Sequence, residues 1–343
     1  MRKLLNTLYV TTPDSFISKD GENVVIRIKD VEKFRIPVHN IENIVSFGYT
    51  GASPALMKMC ADRNIGLCFL SAHGRFLGRV SGAVCGNVLL RRKQYRMADD
   101  KELALKLSGV FVAGKIGNCR NVIQRLIRDH GDSEINPQLN EVSRILTLRR
   151  NQAFDASSFD ELRGYEGDAA NSYFSVFNHL IVAQKESFVF SGRNRRPPKD
   201  KVNALLSFVY TLLANDVQSA LESVGLDPYV GFLHTDRPGR ISLALDMMEE
   251  FRPYLADRIV LTLINRKQVS EKGFVYHGEE GVVMDEATRK EVITAWQKRK
   301  QELIQHPYLE ESIPIGLLPY VQALLLARFL RGDIDNYPVF IIK

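Results

Sequence analysis

The spacing of apolar residues changes near Gly86, and this change most constrains the fold. Before it, short apolar runs such as Val24–Ile28 follow turn signals such as an Asp-Gly pair, which is typical of β-hairpins. After it, apolar residues recur at steps of three and four over residues 101–130, which indicates amphipathic helices. We therefore predict an α+β fold, with a small N-terminal β-sandwich over residues 1–86 and a mostly α-helical domain over residues 87–343.

Glycines complicate the longest helical pattern. Gly109, Gly114 and Gly117 fall inside the periodic run of residues 101–130. Because glycine weakens a helix interior, these positions disfavour a single continuous helix.

Composition and segment length argue against a membrane protein. Of the 343 residues, 45% are hydrophobic, and the mean hydropathy is −0.14. The most apolar segment, residues 315–330, contains Pro319, Gln322 and Arg328, so it does not predict a membrane span. No secretory leader is evident at the start, and we expect a cytoplasmic protein.

The polar composition narrows the function classes. Four cysteines show neither C-x-x-C nor zinc-finger spacing, which favours free thiols in a reducing compartment. The formal charge is +6, which is compatible with nucleic-acid binding but does not demonstrate it. The sequence also lacks the G-x-S-x-G, Walker and H-E-x-x-H motifs, so acyl transfer, nucleotide hydrolysis and zinc proteolysis have no signature.

One short stretch concentrates the residues that could do chemistry. Residues 231–253 hold a histidine, His234, together with four carboxylates and three arginines. Asp246 and Glu249 lie three apart in a helical pattern, so they should project from one face. A neutral imidazole beside carboxylates suits a divalent cation, and arginines suit a phosphate-bearing substrate.

A second stretch supplies another acid. Glu166 lies at a predicted helix start and is followed by the small residues Gly167, Ala169 and Ala170, which would let another backbone or a substrate strand approach. Taken alone, a glutamate facing a helix dipole is the more ordinary interpretation. Glu166 and His234 are far apart in sequence, so only the fold can bring them together.

Four ordered motifs carry a resemblance to a known family. They are Tyr165–Phe174, Arg195–Leu206, Gly231–Thr235 and Ser242–Pro253. With these motifs the chain resembles the CRISPR-associated adaptation endonuclease/integrase over nearly its whole length, and their wording is most similar to the subtype I-C branch.

The resemblance implies a division of labour and a metal site. The β domain would serve dimerisation and DNA contact, and the α domain would be catalytic. One Mg²⁺ or Mn²⁺ ion would be held by Glu166, His234 and Glu249, where many members have aspartate at the last position. Asp246 would be a further catalytic acid, either a ligand or a partner of one.

The resemblance also implies a reaction and partners. The 3′-OH of a captured DNA fragment would attack a phosphodiester at the edge of a CRISPR repeat, so that the fragment becomes a spacer. Double-stranded and branched DNA, a second copy of the chain and a small ferredoxin-like adaptation protein would be the partners. Our hypothesis is that DNA phosphates contact Arg237 and Arg252, and also Arg195 and Arg196 in a basic loop.

Two alternatives remain open on the sequence alone. The protein could be a non-catalytic DNA-binding scaffold whose acids are structural, or a metal-dependent nuclease that acts on RNA. Loss of activity on replacing Glu166 or His234 would argue against the scaffold, and preference for branched DNA would argue against the RNA nuclease.

Overall fold

The fold is described from a computed structural model of the chain. It describes residues 6–48, 51–72, 74, 76–80, 82, 87–130, 134–194, 197–278 and 281–342. The chain divides into two compact units, residues 1–86 and residues 87–343. The first is rich in strands and the second in helices, so the predicted α+β class is confirmed.

The described residues of the N-terminal unit form two four-stranded sheets and one α-helix. Its elements are β1 (Asn6–Val10), β2 (Ser15–Asp20), β3 (Asn23–Ile28), β4 (Val31–Pro37), β5 (Ile41–Phe47), β6 (Gly51–Ala52), α1 (Pro54–Asp62), β7 (Gly66–Leu70) and β8 (Phe76–Val80). The order of one sheet is β1-β5-β7-β8, and that of the other is β4-β3-β2-β6. In the first sheet β1, β5 and β7 are parallel, whereas β2, β3 and β4 of the second are antiparallel.

Local sequence signals account for most of these elements. The predicted hairpin forms between β2 and β3, with Asp20 opposite Asn23 and the turn glycine Gly21 at φ +55°. The hydroxyl of Ser53 accepts a hydrogen bond from Leu56 N at 3.2 Å and so caps α1. Both sheets and α1 contribute to one hydrophobic cluster that includes Ile17 and Ile44.

The second unit is built mainly from helices. They are α2 (Val88–Asp99), α3 (Lys101–His130), α4 (Asn136–Phe154), α5 (Phe159–Ser175), α6 (Lys201–Val224), α7 (Ser242–Met248), α8 (Arg258–Asn265), α9 (Glu286–Gln301) and α10 (Leu318–Arg331). A π-helical turn, Arg252–Asp257, leads directly into α8. Two short hairpins pair β9 (Phe274–Tyr276) with β10 (Val282–Met284) and β11 (Leu303–Gln305) with β12 (Ser312–Pro314).

The expectation that glycines would break the long helical pattern is wrong. Helix α3 runs without interruption over 30 residues. Its glycines are contact points instead: a Cβ on Gly109 would lie 2.4 Å from Ala153 O, and one on Gly114 would lie 2.3 Å from Val339 Cγ2. The gain from close packing outweighs the intrinsic cost of glycine in a helix, about 1 kcal/mol each.

Other expectations have simpler outcomes. Among the described residues, no helix combines the length and the apolar character needed to cross a membrane. Cys60, Cys68 and Cys119 are buried free thiols, as predicted, whereas Cys85 lies outside the described residues.

Candidate active site

A buried lysine joins two of the predicted metal ligands. Nζ of Lys115, on α3, lies 2.6 Å from Oε1 of Glu166 and 2.9 Å from Oε2 of Glu249. The Lys115 side chain is 14% exposed and that of Glu249 only 2%. Helix α3, helix α5 and the residue after α7 thus bring one basic and two acidic side chains together, and the most exposed of the three, Glu166, is 26% exposed.

Glu249 is ionised in this setting. Its Oε1 lies 2.7 Å from a terminal guanidinium nitrogen of Arg252. Burial alone would raise the pKa of Glu249, but the charges of Arg252 and Lys115 outweigh burial and lower the pKa to about 2, and His234 lies close enough to add to this effect. Oε2 meets the Lys115 ammonium at ion-pair distance, and no donor among the described residues gives it a well-directed hydrogen bond. That oxygen therefore retains coordinating capacity.

Asp246 organises the loop that carries His234. Its fully buried carboxylate accepts hydrogen bonds from the backbone N–H groups of Phe232 (2.6 Å), Leu233 (3.0 Å) and His234 (3.0 Å). It also lies 2.6 Å from Nδ1 of His234. Because an ionised carboxylate only accepts, this contact assigns the ring proton to Nδ1 and leaves the lone pair on Nε2. Asp246 therefore serves as a partner of the histidine, with its own oxygens already occupied.

A glycine makes that arrangement possible. A Cβ on Gly231 would lie 2.8 Å from Oδ2 of Asp246 and 2.8 Å from Cβ of Ser242. Any larger residue would push the loop away from the carboxylate. The sequence analysis did not assign Gly231 this role.

The position of Glu166 differs from the expected one. Helix α5 begins at Phe159, where the Ser158 hydroxyl accepts a hydrogen bond from Glu161 N. Glu166 thus lies in the middle of the helix, and the interpretation as a glutamate at a helix start is wrong. The helix continues through Gly164 and Gly167, where a Cβ would meet nothing within 4 Å, so these glycines are not packing contacts.

The three predicted ligands are brought together only in part. Glu166 and Glu249 share one cation, and His234 faces Asp246. Within the described part of the chain, no three histidine, cysteine or acidic side chains are placed to hold a metal ion as they stand. The Lys115 ammonium takes the place between the carboxylates. Its position shows that this pocket accepts a cation, and two carboxylates with an imidazole nearby are donors that suit Mg²⁺ or Mn²⁺.

The predicted DNA-contacting arginines fall into three groups. Arg252 is largely buried beside Glu249, and its Nε has no hydrogen-bond acceptor within the described residues. Arg237 is exposed in the turn after His234. Arg195 and Arg196 lie outside the described residues, so the hypothesis that they contact DNA phosphates stays a prediction.

Two tyrosines bind a buried aspartate next to Arg252. Tyr210 and Tyr173 donate hydrogen bonds to Asp257, at 2.6 and 3.0 Å. Burial raises the pKa of Asp257 to about 6, although both hydroxyls favour its charged form. The guanidinium of Arg252 lies 4.9 Å from the Tyr210 ring centre. A π-helical turn brings residues five apart to the same side, which lets Arg252 and Asp257 hold the same tyrosine.

Glu250, next to Glu249, binds a distant segment. Tyr337 OH and Phe340 N donate to its carboxyl group, each at 2.6 Å. Burial raises the pKa of Glu250 to about 8. Asn118 donates to the carbonyls of both Glu250 and Phe340. These hydrogen bonds hold residues 337–342 against Glu250, the neighbour of the acid that pairs with Lys115.

Lys115, Tyr210 and Asp257 are the site residues that the sequence analysis missed. One signal for Lys115 was available: it is the only charged residue in the apolar run of residues 109–119. A lysine on the buried face of a helix requires a partner of opposite charge.

Comparison with known proteins decides the family. The family model described as "CRISPR associated protein Cas1" matches residues 8–298. The chain belongs to the Cas1 family. It is 52% identical, over 99% of both chains, to a CRISPR-associated endonuclease Cas1 of Chlorobaculum tepidum. It is 49% identical, over the whole of both chains, to one of Rhodospirillum rubrum. These matches confirm the resemblance and, with it, an endonuclease/integrase of CRISPR adaptation, while subtype I-C stays a prediction.

Solved structures show the same fold. A Cas1 protein from Thermotoga maritima matches with a TM-score of 0.81 and 23% identity, over 98% of this chain and all of that one. A casposase bound to its integration product matches with a TM-score of 0.83 and 21% identity, over 98% of this chain and 94% of that one. The order of a strand-rich region followed by a helical one is therefore the order of Cas1 folds.

Proposed function

We propose that this Cas1 family member cuts and joins DNA at one metal-dependent site formed by Glu166, His234 and Glu249. The observation that carries the proposal is the shared cation: two carboxylates from separate segments converge on one positive charge, with the side chains of Lys115 and Glu249 largely buried. A purely structural ion pair needs only one acid for one lysine. The second acid supplies a further oxygen donor of the kind that a divalent ion prefers.

The ion would be Mg²⁺ or Mn²⁺, and when bound it would polarise the phosphodiester and stabilise charge on the attacked phosphorus. Glu249 enters the reaction ionised, because its pKa is about 2. Asp246 holds Nδ1 of His234, so Nε2 would be the atom that binds the ion. No covalent intermediate with the protein is required.

Two basic side chains are placed to bind the phosphate. Arg252 has a buried Nε without an acceptor within the described residues, and a phosphate oxygen would supply one. Lys115 would leave the carboxylates when the ion arrives, and its ammonium would then be available to the substrate. In this proposal DNA and metal bind together more favourably than either binds alone.

DNA and protein partners are proposed from the relatives. The casposase neighbour was solved with its integration product. Another matching structure is a Cas6-RT-Cas1–Cas2 complex, with a TM-score of 0.83 and 23% identity over all of this chain and 37% of that one. By analogy we propose double-stranded and branched DNA as substrates, with a small ferredoxin-like adaptation protein as partner in the cytoplasm.

A homodimer formed through the N-terminal unit is also proposed. Strand β4 is an edge strand, and its apolar residues Val31 and Phe34 are 55% and 45% exposed. An exposed apolar edge favours pairing with another chain. The role of this unit in DNA contact rests on the family resemblance.

Three variants test the site assignment. Glu166→Gln and His234→Ala should abolish Mn²⁺-dependent cleavage and joining of branched DNA, whereas Glu141→Gln, an exposed acid paired with Arg144, should retain both. Full activity in both site variants would show that the ligands are elsewhere. DNA binding without any product in the wild type would favour a scaffold, and faster turnover of single-stranded RNA would favour an RNA nuclease.

A further inference from the structure

A second basic site lies on the helical unit, away from the proposed ligands. It is an open groove of about 210 Å³ formed by α3, by residues 180–182 and by α8 with the residue that follows it. Three arginines line it, Arg125, Arg258 and Arg266, and its apolar lining includes Leu126 and Leu261. Asp129 is the acid in the same lining, so positive charge predominates.

The arginines are crowded without enough acids to balance them. Arg125 pairs with Asp129 at 3.3 Å, with both side chains more than half exposed. Arg258 makes no ion pair in the part of the chain that the structure describes, and its guanidinium lies 5.1 Å from the Tyr254 ring centre. Arg299 lies over the same ring at 5.2 Å and pairs with Glu302, whose charge also acts on Arg258. Partial burial, with Arg125 and Arg299 nearby, lowers the pKa of Arg258. A bound anion would relieve this repulsion.

The wall of the groove is held in place. Oδ1 of Asn265 accepts hydrogen bonds from Val182 N and Ala183 N, at 2.9 and 3.3 Å, and its Nδ2 donates to Leu180 O at 2.8 Å. Gln184 donates to carbonyls on either side of Asn265, those of Ile264 and Val269. The segment that faces the arginines is therefore tied to α8 before any ligand binds.

The groove is built from the same segments as the active site. Along α3, Leu126 follows Lys115 by eleven residues, about 16 Å of helix. Along the π-helical turn and α8, Arg258 follows Arg252 by six residues. The groove is thus a separate site, and a DNA molecule bound at both places would present a phosphate about every 3.4 Å of helix axis along each strand.

We propose that this groove binds the phosphodiester backbone of the DNA whose reacting phosphate lies at the carboxylates; the inference rests on the proposed function. A guanidinium group can donate two parallel hydrogen bonds to a phosphate, and the apolar lining can pack against sugars. The volume is below the roughly 300–1,000 Å³ typical of small-molecule pockets. The groove would position DNA without reading its sequence.

The test measures binding with the reaction silent. Fluorescence anisotropy of a branched DNA is followed in EDTA over a series of salt concentrations for the wild type, Arg258→Gln, Arg266→Gln and the double variant. Each lost phosphate contact should lower the slope of log K against log salt by about 0.9, and binding should weaken for every DNA sequence alike. Arg144→Gln is the matched control, since Arg144 is exposed and paired with Glu141 on α4.

The outcomes separate the two proposals. If the wild type binds DNA and both groove variants retain its affinity and salt slope, the groove does not bind the backbone. If the wild type shows no salt-dependent binding either in EDTA or with MnCl₂, the proposed function fails together with the groove. Arg258→Lys guards against misfolding, because it preserves a positive charge and should keep most of the slope. Weakened capture of the protein partner at unchanged DNA affinity would overturn the DNA assignment in favour of a protein surface.

Discussion

Replacing Lys115 by glutamine should make the fold depend on a divalent ion. Removing one member of a buried ionic group costs about 3–5 kcal/mol, and Lys115 serves two carboxylates, one of them only 2% exposed. We expect a loss of stability of this size in EDTA.

Metal binding should change in the opposite direction. In the wild type an incoming ion has to displace an ammonium that lies 2.6 and 2.9 Å from the two acids; in Lys115→Gln it does not. If the metal-bound proteins are equally stable, the free energy lost by the metal-free variant reappears as affinity. A loss of about 3 kcal/mol corresponds to Mn²⁺ binding roughly 100-fold tighter.

The assay needs no substrate. Urea unfolding in EDTA and at increasing MnCl₂ gives both quantities, because an ion at 100 times its Kd adds about 2.7 kcal/mol. Lys106→Gln is the control: Lys106 is on the same helix but exposed, and it pairs with Glu102. If Lys115→Gln is as stable as the wild type in EDTA, or if it binds Mn²⁺ no more tightly, then Lys115 does not occupy the metal position.

Three further changes probe the support of the site. Asp246→Asn replaces an accepting oxygen by a donating amide opposite three N–H groups and the His234 ring; it should lower stability by about 3 kcal/mol in urea unfolding and reduce kcat with little change in DNA affinity. Gly231→Ala places a methyl group 2.8 Å from Asp246 Oδ2 and should cost about 1–3 kcal/mol, measured in the same way. Asp257 has a folded-state pKa of about 6 against an ordinary 3.8, so its proton stabilises the fold fully below about pH 4, and that stability is lost as the pH rises through about 6. Asp257→Asn should remove this decline of about 3 kcal/mol, seen as a flatter stability curve than that of the wild type between pH 4 and 7.

A different result would contradict each of these three predictions. Wild-type stability of Asp246→Asn would mean that the loop does not depend on the carboxylate. An unperturbed Gly231→Ala would mean that the loop has room to move. A parallel decline in the wild type and Asp257→Asn would place the titrating group elsewhere.

The sequence predicted local structure well where the signals are local. The hairpin at Gly21 and the cap at Ser53 follow from residue types at fixed offsets. Helix α3 shows the limit of such signals, because its glycines are unfavourable in isolation and are explained only by what they face: Gly109 by the carbonyl of Ala153 and Gly114 by the side chain of Val339. No local pattern specifies what a glycine will face.

The same limit applies to the site. The acids and His234 could be selected by residue type and by family motif. The role of Asp246 could not be predicted in this way, because every residue has a backbone N–H group and only the fold decides which of them reach the carboxylate. The role of Lys115 could not be predicted without knowing which helices pack against α3. Asp257 was hidden because a π-helical turn departs from the 3.6-residue period on which helical faces are assigned.

The hold of Tyr337 and Phe340 on Glu250 also has a consequence for the order of synthesis. Glu249 leaves the ribosome long before residues 337–342, so the segment behind it is missing for the last part of translation. Until that segment docks, Glu250 lacks two of its donors. The support behind Glu249 is therefore complete only after the segment that contains Phe340 has left the ribosome and docked.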